Sequence, residues 1–195
     1  MNHYFIYDKN QKEELRQISF SIDGVDINLV SDANTFSNKR LDEGTKVLLK
    51  YLSSINLKGS LLDLGCGYGP VGVTLKLLYK DLDVTMADIN KRCVNLAQEN
   101  AKTYHLDIAC IESDSYSNID NHFDIVTLNP PISCGKEQIF KMYQETKNHL
   151  NDNGAFYIVI RKDKGALSHQ KYLFSLFPSV NVIYKEKGYY ILEAK

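Results

Sequence analysis

The stretch Leu61-Leu62-Asp63-Leu64-Gly65-Cys66-Gly67-Tyr68-Gly69-Pro70 decides the fold of this chain. An apolar segment with one acidic residue runs into three glycines at alternate positions. Glycine adopts positive φ readily and lets the backbone come close to a ligand, and the N–H groups that open the following helix face the bound molecule. The stretch therefore predicts a strand-to-helix turn that surrounds a nucleotide-type cofactor.

The same glycines leave a second class of cofactor open. Gly67-Tyr68-Gly69-Pro70-Val71-Gly72 fits the G-x-G-x-x-G pattern of nicotinamide and flavin enzymes. Asp63 argues against a dinucleotide, because a carboxylate there can accept the ammonium group of a methionine moiety, whereas a dinucleotide presents an anionic pyrophosphate. The segment Asn129-Pro130-Pro131-Ile132 is a second argument, since it has no role in hydride transfer. Both features favour S-adenosylmethionine as the cofactor.

We call Asn129-Pro130-Pro131-Ile132 the amino clamp; it directly follows the apolar segment 123–128. An exocyclic amino group on a base is a poor nucleophile because its lone pair is delocalised into the ring. The side-chain carbonyl of Asn129 and the backbone carbonyl of Pro130 can each accept one amino hydrogen, which turns the lone pair toward a methyl donor. The prolines restrict the backbone and keep both acceptors in place. The clamp predicts methyl transfer driven by positioning and electrostatics.

Strand and helix patterns alternate along the chain, which predicts an α/β fold. We expect a Rossmann-like seven-stranded methyltransferase sheet, mainly parallel, with an antiparallel C-terminal hairpin. The predicted strands are 61–64, 84–87, 107–111, 123–128, 155–160, 180–184 and 189–192, and the predicted helices are 71–79, 92–103, 137–150 and 170–177. Before this core, alternating apolar residues flank Asp23-Gly24, which predicts a small β-hairpin, and a helix follows over 42–54.

Length and composition indicate one domain over residues 1–195, with 1–58 as an N-terminal extension and 59–195 as the catalytic core. Apolar residues make up 44% and charged residues 24%, as in soluble globular proteins. The sequence shows no apolar run of membrane-spanning length and no secretion signal. The four cysteines lack metal-ligand spacing, so we expect a cytoplasmic protein with reduced thiols, no metal and no membrane.

Acidic residues end two further predicted strands, where ligands of such a sheet bind. Asp88 can accept hydrogen bonds from both ribose hydroxyls of a cofactor. Asp114 is placed to receive the adenine amino group, with Ser113 and Ser115 beside it. A solvated acid at the end of a strand is the alternative for both, and it weighs more for Asp114 because its loop is polar.

The glycine stretch and the amino clamp together resemble the small methyltransferase domain of the ribosomal RNA small-subunit guanine-N2 methyltransferases. The likeness covers nearly the whole chain and extends to Phe36-Ser37, Gly135-Lys136, Arg161-Lys162, Gly165-Ala166 and Lys187-Gly188-Tyr189. It implies a class I methyltransferase whose clamp holds a guanine amino group beside Phe36. With it, the predicted cofactor-binding residues are Asp63, Gly65, Cys66, Gly67, Asp88, Ile89, Asp114, Ser115 and Asn129, and the predicted catalytic residues are Asn129, Pro130, Pro131 and Ile132.

The resemblance implies ribosomal RNA or the small ribosomal subunit as the partner, and it leaves the oligomeric state open. The net charge of −1 provides no overall basic field for nucleic acid. Basic residues near the predicted site can form a local phosphate-binding rim or an ordinary solvated surface: Lys39, Arg40, Lys136, Lys141, Arg161, Lys162 and Lys164. The predicted substrate-binding residues are Phe36, Ser37, Lys136, Arg161 and Lys162.

The family pattern also differs from this sequence in two respects. Better-known members carry a second, degenerate methyltransferase-like half that helps to bind RNA, which this sequence lacks. Related adenine and protein-glutamine methyltransferases have an aromatic residue where Ile132 stands, which favours guanine. Methylation of a small molecule or a protein amide is the alternative activity. A non-catalytic cofactor-binding module is the third hypothesis, and the intact Asn129-Pro130-Pro131 argues against it.

Overall fold

The computed structural model describes residues 14–33, 40–131 and 134–195. The strands are β1 Leu15–Ile22, β2 Val25–Asp32, β3 Ser60–Leu64, β4 Asp83–Asp88, β5 Ala109–Glu112, β6 Phe123–Leu128, β7 Leu150–Arg161, β8 Val180–Glu186 and β9 Tyr189–Ala194. The helices are α1 Glu43–Leu52, α2 Pro70–Leu78, α3 Lys91–Thr103, α4 Lys136–Asn148 and α5 Ala166–Phe174, with a short 3-10 helix at Lys162–Lys164. Within these ranges, no helix is long and apolar enough to cross a membrane.

Seven strands form one sheet in the order β5-β4-β3-β6-β7-β9-β8. The first five run parallel, β9 pairs antiparallel with β7, and β8 pairs antiparallel with β9. This confirms the predicted fold class, including the C-terminal hairpin and the separate two-stranded hairpin of β1 and β2. The chain order reverses beside β3, and a doubly wound sheet binds its ligands at such a switch point.

Several predicted boundaries on the C-terminal side were wrong. The predicted helix 137–150 ends at Asn148, and β7 begins at Leu150 rather than at residue 155. The Asn153-Gly154 turn signal marks an irregularity inside β7, where Asn153 has φ +64° and the register with β6 shifts between Phe123 and Ile125. Helix α5 begins at Ala166 rather than at residue 170, directly after Gly165.

The sheet buries apolar side chains on both faces. Leu61 packs in the core with α1, α2, α3 and the hairpin, whereas the adjacent Leu62 packs in the core with α4 and α5. Successive side chains of a strand point to opposite faces, so a strand covered on both sides is apolar at every position. Among the four fully buried positions of β3, 61–64, Asp63 is the exception.

A buried asparagine joins the N-terminal hairpin to the core. Asn100 of α3 donates to the carbonyl of Val30 at 2.9 Å and accepts from its N–H at 2.8 Å, so the amide replaces a neighbouring strand. It also donates to the carbonyl of Tyr68 in the glycine turn at 2.8 Å. A buried ion pair between Arg92 and Asp32 lies nearby, at 2.5 Å. The hairpin and the glycine turn therefore share one hydrogen-bonding residue.

The division into extension and core, 1–58 and 59–195, stays a prediction.

We expect Asn100→Ala to lower the free energy of unfolding by about 2–4 kcal/mol, because one buried and two partly buried backbone groups lose their partner. The measurement is urea unfolding followed by far-UV circular dichroism. Lys102→Ala on the exposed side of the same helix is the matched control, since it removes only a surface ion pair to Glu99 and should cost less than about 1 kcal/mol. Equal costs for the two variants would contradict the role of Asn100.

Candidate active site

The turn between β3 and α2 is built on glycines in the left-handed region. Gly65, Gly67 and Gly69 have φ of +67°, +57° and +87°, which L side chains rarely adopt. Helix α2 begins at Pro70, with Gly69 as its N-cap residue. Proline suits the first position of a helix because its missing N–H would have no intrahelical acceptor. The predicted strand-to-helix turn is confirmed.

Asp88, at the carboxyl end of β4, ties the glycine turn to the neighbouring strand. Its side chain is 2% exposed and accepts hydrogen bonds from the N–H of Gly67 at 2.9 Å and from the N–H of Asn90 at 2.8 Å. One bond goes to each carboxylate oxygen. An ionised carboxylate offers about four acceptor positions, so it can also accept hydrogen bonds from a ligand.

Asp63 places a second carboxyl group below the turn. It accepts hydrogen bonds from the N–H of Gly72 at 3.0 Å and from the hydroxyl of Thr127 at 3.1 Å. Burial raises the pKa of Asp63 from 3.8 to about 7, although both hydrogen bonds lower the pKa and the nearby Asp88 raises it. The ionised form is therefore costly without a positive partner, so a cationic ligand group is well suited to this position.

Two cavities lie at the carboxyl ends of the parallel strands and meet at Gly65 and Pro131. The larger has a volume of about 320 Å³. The smaller, of about 30 Å³, lies between β4, β5 and α4. The buried hydroxyl of Ser115, on the smaller cavity, has no hydrogen-bond partner among the described residues. A ligand with polar groups along its length suits this pair of cavities.

The structure brings the predicted cofactor residues together. One group lines the larger cavity: Asp63, Gly65, Cys66, Gly67 and Asn129. The other lines the smaller cavity: Gly65, Asp88, Ile89, Asp114 and Ser115. Asp114 is exposed and accepts a hydrogen bond from Gln138 at 3.4 Å. Pro130 and Pro131 of the amino clamp line the larger cavity beside Asn129, whereas Ile132 lies outside the described residues.

The predicted substrate residues are more scattered. Arg161 lines the larger cavity. Lys136 is exposed at the start of α4, where its ammonium group donates to the hydroxyl of Ser168 at 3.2 Å, and Lys162 is exposed in the 3-10 helix. Phe36 and Ser37, like Lys39 of the basic rim, lie outside the described residues. Of the predicted substrate-binding residues that the structure describes, Arg161 lines one of these two cavities, and Lys136 and Lys162 line neither.

The side chain of Asn129 is oriented by two residues that the sequence analysis did not identify. Its Nδ2 group donates to Asp42 Oδ2 at 2.8 Å and to Thr45 Oγ1 at 2.9 Å. Asp42 is the N-cap of α1 and also accepts from the N–H of Thr45 at 2.9 Å. Both amide hydrogens are thus engaged, which leaves Oδ1 as the acceptor that the amide can offer to a ligand. An acid-x-x-Thr capping pattern was visible in the sequence, but its contact with Asn129 was not.

Aromatic and basic side chains complete the larger cavity. Its lining includes two tyrosines and two arginines: Tyr68, Tyr189, Arg40 and Arg161. The guanidinium of Arg161 lies 5.9 Å from the centre of the Tyr189 ring. Tyr189 also packs against Gly44, where an added Cβ would come within 3.0 Å of a ring carbon. The lining of the cavity thus combines aromatic rings with two guanidinium groups, of which that of Arg161 also pairs with Asp163 at 2.9 Å.

Metal ligation and thiol chemistry find little support at this site. In residues 14–33, 40–131 and 134–195, no group of three or more His, Cys, Asp and Glu residues is arranged to hold a metal ion. The four cysteines are free. Burial raises the pKa of the Cys66 thiol well above its ordinary value, and the neighbouring carboxyl groups raise it further. Cys66 is therefore kept in its neutral thiol form.

The fold and site together define a class I methyltransferase whose cofactor is S-adenosylmethionine. More particularly, the chain belongs to the methyltransferase small domain family, which its sequence matches over residues 26–193. The residues described above fit the cofactor. Buried carboxyl groups line both cavities, and the glycine turn lets a ligand contact the backbone where the two cavities meet.

Similar proteins agree with this family. The chain is 36% identical over 196 residues to the protein YbxB of Bacillus subtilis (strain 168), with 99% of this chain and 98% of YbxB covered. It is 31% identical over 175 residues to ribosomal RNA small subunit methyltransferase C of Actinobacillus pleuropneumoniae serotype 7, with 87% of this chain and 52% of the relative covered. The chain thus spans about half the length of that methyltransferase.

Solved structures show the same fold. The 16S rRNA N2 methyltransferase RsmC of T. thermophilus, in complex with AdoMet and guanosine, has a TM-score of 0.82 at 22% identity, with 93% of this chain and 50% of that chain covered. The ribosomal protein L11 methylase of Lactobacillus delbrueckii subsp. bulgaricus has a TM-score of 0.67 at 20% identity, with 80% and 82% covered. At these identities the likeness establishes the fold.

We expect the stability of the cofactor-free protein to depend on the charge of Asp63. Its pKa in the folded protein, about 7, lies above its ordinary value of 3.8, so the folded state binds more protons between these pH values and stability falls as pH rises. Asp63→Asn keeps an acceptor for Gly72 and gains a donor for Thr127, without a charge. The stability of the variant relative to the parent should therefore rise by about 2–4 kcal/mol from pH 4 to pH 8, measured by chemical denaturation.

The matched control is Asp124→Asn. Hydrogen bonds from Ser60 and Asn151 lower the pKa of Asp124, so the charge of Asp124 stabilises the folded state at neutral pH. The stability of this variant relative to its parent should fall as pH rises. A stability difference for Asp63→Asn that does not change with pH would contradict the elevated pKa.

Proposed function

We propose that this protein transfers a methyl group from S-adenosylmethionine to the exocyclic N2 amino group of a guanine in small-subunit ribosomal RNA. The orientation of Asn129 is the observation on which this proposal rests. With both amide hydrogens bound to Asp42 and Thr45, its oxygen is available to accept a hydrogen from an amino group. The 31% identical relatives named as ribosomal RNA small subunit methyltransferases support RNA as the substrate.

Each predicted cofactor residue has a role that its position supports. We assign the ammonium group of the methionine moiety to Asp63, the ribose hydroxyls to Asp88, and the adenine ring to the smaller cavity with Ile89, Asp114 and Ser115. The backbone of Gly65, Cys66 and Gly67 passes between these positions. S-adenosylmethionine would supply a methyl group bound to a positively charged sulfur. A neutral nitrogen would attack the methyl carbon as the carbon–sulfur bond breaks, S-adenosylhomocysteine would leave, and the methylated nitrogen would then lose one proton to solvent.

The amino clamp would prepare the acceptor nitrogen. Asn129 Oδ1 and the carbonyl of Pro130 each accept one amino hydrogen, which directs the nitrogen lone pair away from both acceptors. These contacts are strongest when the nitrogen becomes positively charged as the methyl group is transferred. An oriented acceptor therefore lowers the barrier more than it strengthens substrate binding.

The aromatic and basic side chains that line the larger cavity suit a nucleotide. The rings of Tyr68 and Tyr189 offer surface on which a planar base can stack. Arg40 and Arg161 line the same cavity and can contact phosphate groups. We also assign to this basic rim Lys136, at the start of α4, and Lys162, in the 3-10 helix after β7. The total charge of −1 gives no long-range attraction for RNA. We propose that RNA binds through this local rim, in the cytoplasm.

The role of Asp88 predicts a change in cofactor selectivity. Asp88→Ala should weaken binding of S-adenosylhomocysteine at least about tenfold, because hydrogen bonds to a charged acceptor contribute roughly 1.5–3 kcal/mol each. The parent should prefer S-adenosylhomocysteine over its 2′-deoxy analogue, and the variant should bind both with similar affinity. Isothermal titration calorimetry measures all four affinities.

The 2′-deoxy analogue separates recognition of the ribose from support of the glycine turn, since Asp88 also accepts from the N–H of Gly67. A variant that is weaker for both ligands yet retains the parent's preference would contradict contact with the ribose. Preference of the parent for a dinucleotide would contradict the cofactor assignment.

A labelling experiment tests the substrate. Small ribosomal subunits, and RNA extracted from them, are prepared from a strain that lacks this gene and incubated with the protein and S-adenosylmethionine labelled in the methyl group. We expect the label in small-subunit RNA, in a nucleoside that chromatographs with N2-methylguanosine. Subunits from the parent strain should accept little label, because the position is already methylated.

Asn129→Ala is the catalytic control for this experiment. It should lower turnover by roughly 100-fold or more, the scale for loss of one oriented hydrogen bond in the transition state. Cofactor affinity should stay within a few fold. Label in protein or in small molecules, with none in RNA, would contradict RNA as the substrate and favour a protein amide or a small molecule instead. Cofactor binding without methyl transfer to any fraction of a cell extract would indicate a binding module.

A further inference from the structure

We propose that Asp42 and Thr45 are positioning residues that hold the Asn129 amide with its oxygen toward the acceptor amino group. This inference rests on the proposed function only in requiring an amino group as methyl acceptor; it does not require guanine or RNA. Its evidence is the pair of hydrogen bonds from Asn129 Nδ2, at 2.8 Å to Asp42 and at 2.9 Å to Thr45.

A primary amide needs such partners because its two orientations have nearly the same shape. Rotated by a half turn, Asn129 would direct its NH₂ group at the NH₂ group of the substrate, and two donors would face each other. A carboxylate has only acceptors, so Asp42 makes contact with the NH₂ end of the amide and disfavours its oxygen. The negative charge also strengthens the bond. Asp42 therefore selects the orientation that accepts from a substrate.

Asp42 is itself held by the first turn of α1. The same oxygen that contacts Asn129 accepts from the N–H of Thr45, the N-cap hydrogen bond of the helix. The hydroxyl of Thr45 is the second acceptor for Asn129, and Thr45 is only 6% exposed. Both acceptors thus belong to one short, hydrogen-bonded segment. Asn129 is positioned by a helix terminus rather than by a mobile loop.

Helix α1 is anchored firmly enough for this purpose. Val47, Leu48, Leu49 and Leu52 are at most 2% exposed and pack in the core beneath the sheet. Gly44, between Asp42 and Thr45, has no side chain to displace the Tyr189 ring. The first turn of α1 is therefore a component of the active site, and the rate of methyl transfer depends on the position of its two acceptors, Asp42 and Thr45.

The test compares variants that keep or remove each acceptor. Asp42→Ser still caps the helix but is shorter, and Thr45→Val keeps the shape but removes the hydroxyl. Each should lower turnover by about 10- to 100-fold while the dissociation constant of S-adenosylhomocysteine changes by less than about threefold. Asp42→Asn and Thr45→Ser each retain an acceptor oxygen. In Asp42→Asn, the N–H of Thr45 donates to this oxygen and so orients the new amide. Both should recover most of the activity.

Glu43→Gln is the matched control for charge. It removes one negative charge from the same helix terminus, where Glu43 pairs with Lys187 on the surface and does not contact Asn129. It should leave turnover at the parent level. A fall in turnover for Glu43→Gln as large as that for Asp42→Ser would show that helix charge, not the contact with Asn129, is responsible, and would overturn the proposal.

A double-mutant cycle separates positioning from general stability. If Asp42 acts through Asn129, Asp42→Ser should cause no further loss of single-turnover rate in an Asn129→Ala background. An equal loss in both backgrounds would overturn the proposal. If Asn129→Ala by itself leaves the rate unchanged, the amino clamp fails, and with it the proposed function and this inference.

A second measurement needs no substrate. The side-chain NH₂ of Asn129 gives a pair of nuclear magnetic resonance signals, identified by their loss in Asn129→Ala. Its hydrogens should exchange with solvent at least about tenfold more slowly in the parent and in Glu43→Gln than in Asp42→Ser, because two hydrogen bonds protect them. Equally fast exchange in all three proteins would overturn the proposal. Slow exchange in the parent, with no methyl transfer to RNA, would leave the positioning intact and refute the RNA substrate.

Discussion

The turn from β3 into α2 is the constraint on which the rest of the structure depends. It places three alternate residues at positive φ, which makes glycine the favoured residue at each. Two buried carboxyl groups accept backbone hydrogen bonds here: Asp88 accepts from the N–H of Gly67 in the turn, and Asp63 accepts from the N–H of Gly72 in the first turn of α2. The same two groups face the cavities. The side chains that hold the backbone are thus the ones to which we assign ligand recognition.

The buried charge at Asp63 shows how the site exchanges stability for binding. An acid whose pKa is raised to about 7 by burial is poorly solvated, and the free protein gains little from ionising it. A bound cation reverses that balance, because the charge then has a partner in a medium of low dielectric constant. A cofactor with an ammonium group can therefore be bound by a carboxyl group that destabilises the empty fold.

The N-terminal hairpin and α1 contribute more to the site than their position outside the large sheet suggests. Asn100 links the hairpin to Tyr68 in the glycine turn, and the first turn of α1 contacts the amide of Asn129. The hairpin and α1 thus contact two residues that line the larger cavity, Tyr68 and Asn129. Folding of the hairpin and α1, and assembly of the cavity, are therefore coupled through a few polar contacts.

The sequence by itself determined the features that depend on local chemistry. Glycine spacing predicted the turn, and the alternation of strand and helix patterns predicted the sheet. Asp63 was predicted from its position two residues before the first glycine, and Asp88 and Asn129 from their positions at the ends of strands. Only the tertiary structure decided which residues meet across the chain. Asn129 contacts Asp42 and Thr45 across separations of 87 and 84 residues, and such contacts leave no periodic signal. Likewise, Tyr189 reaches the cavity because β9 pairs with β7, and the start of β7 depends on its pairing with β6.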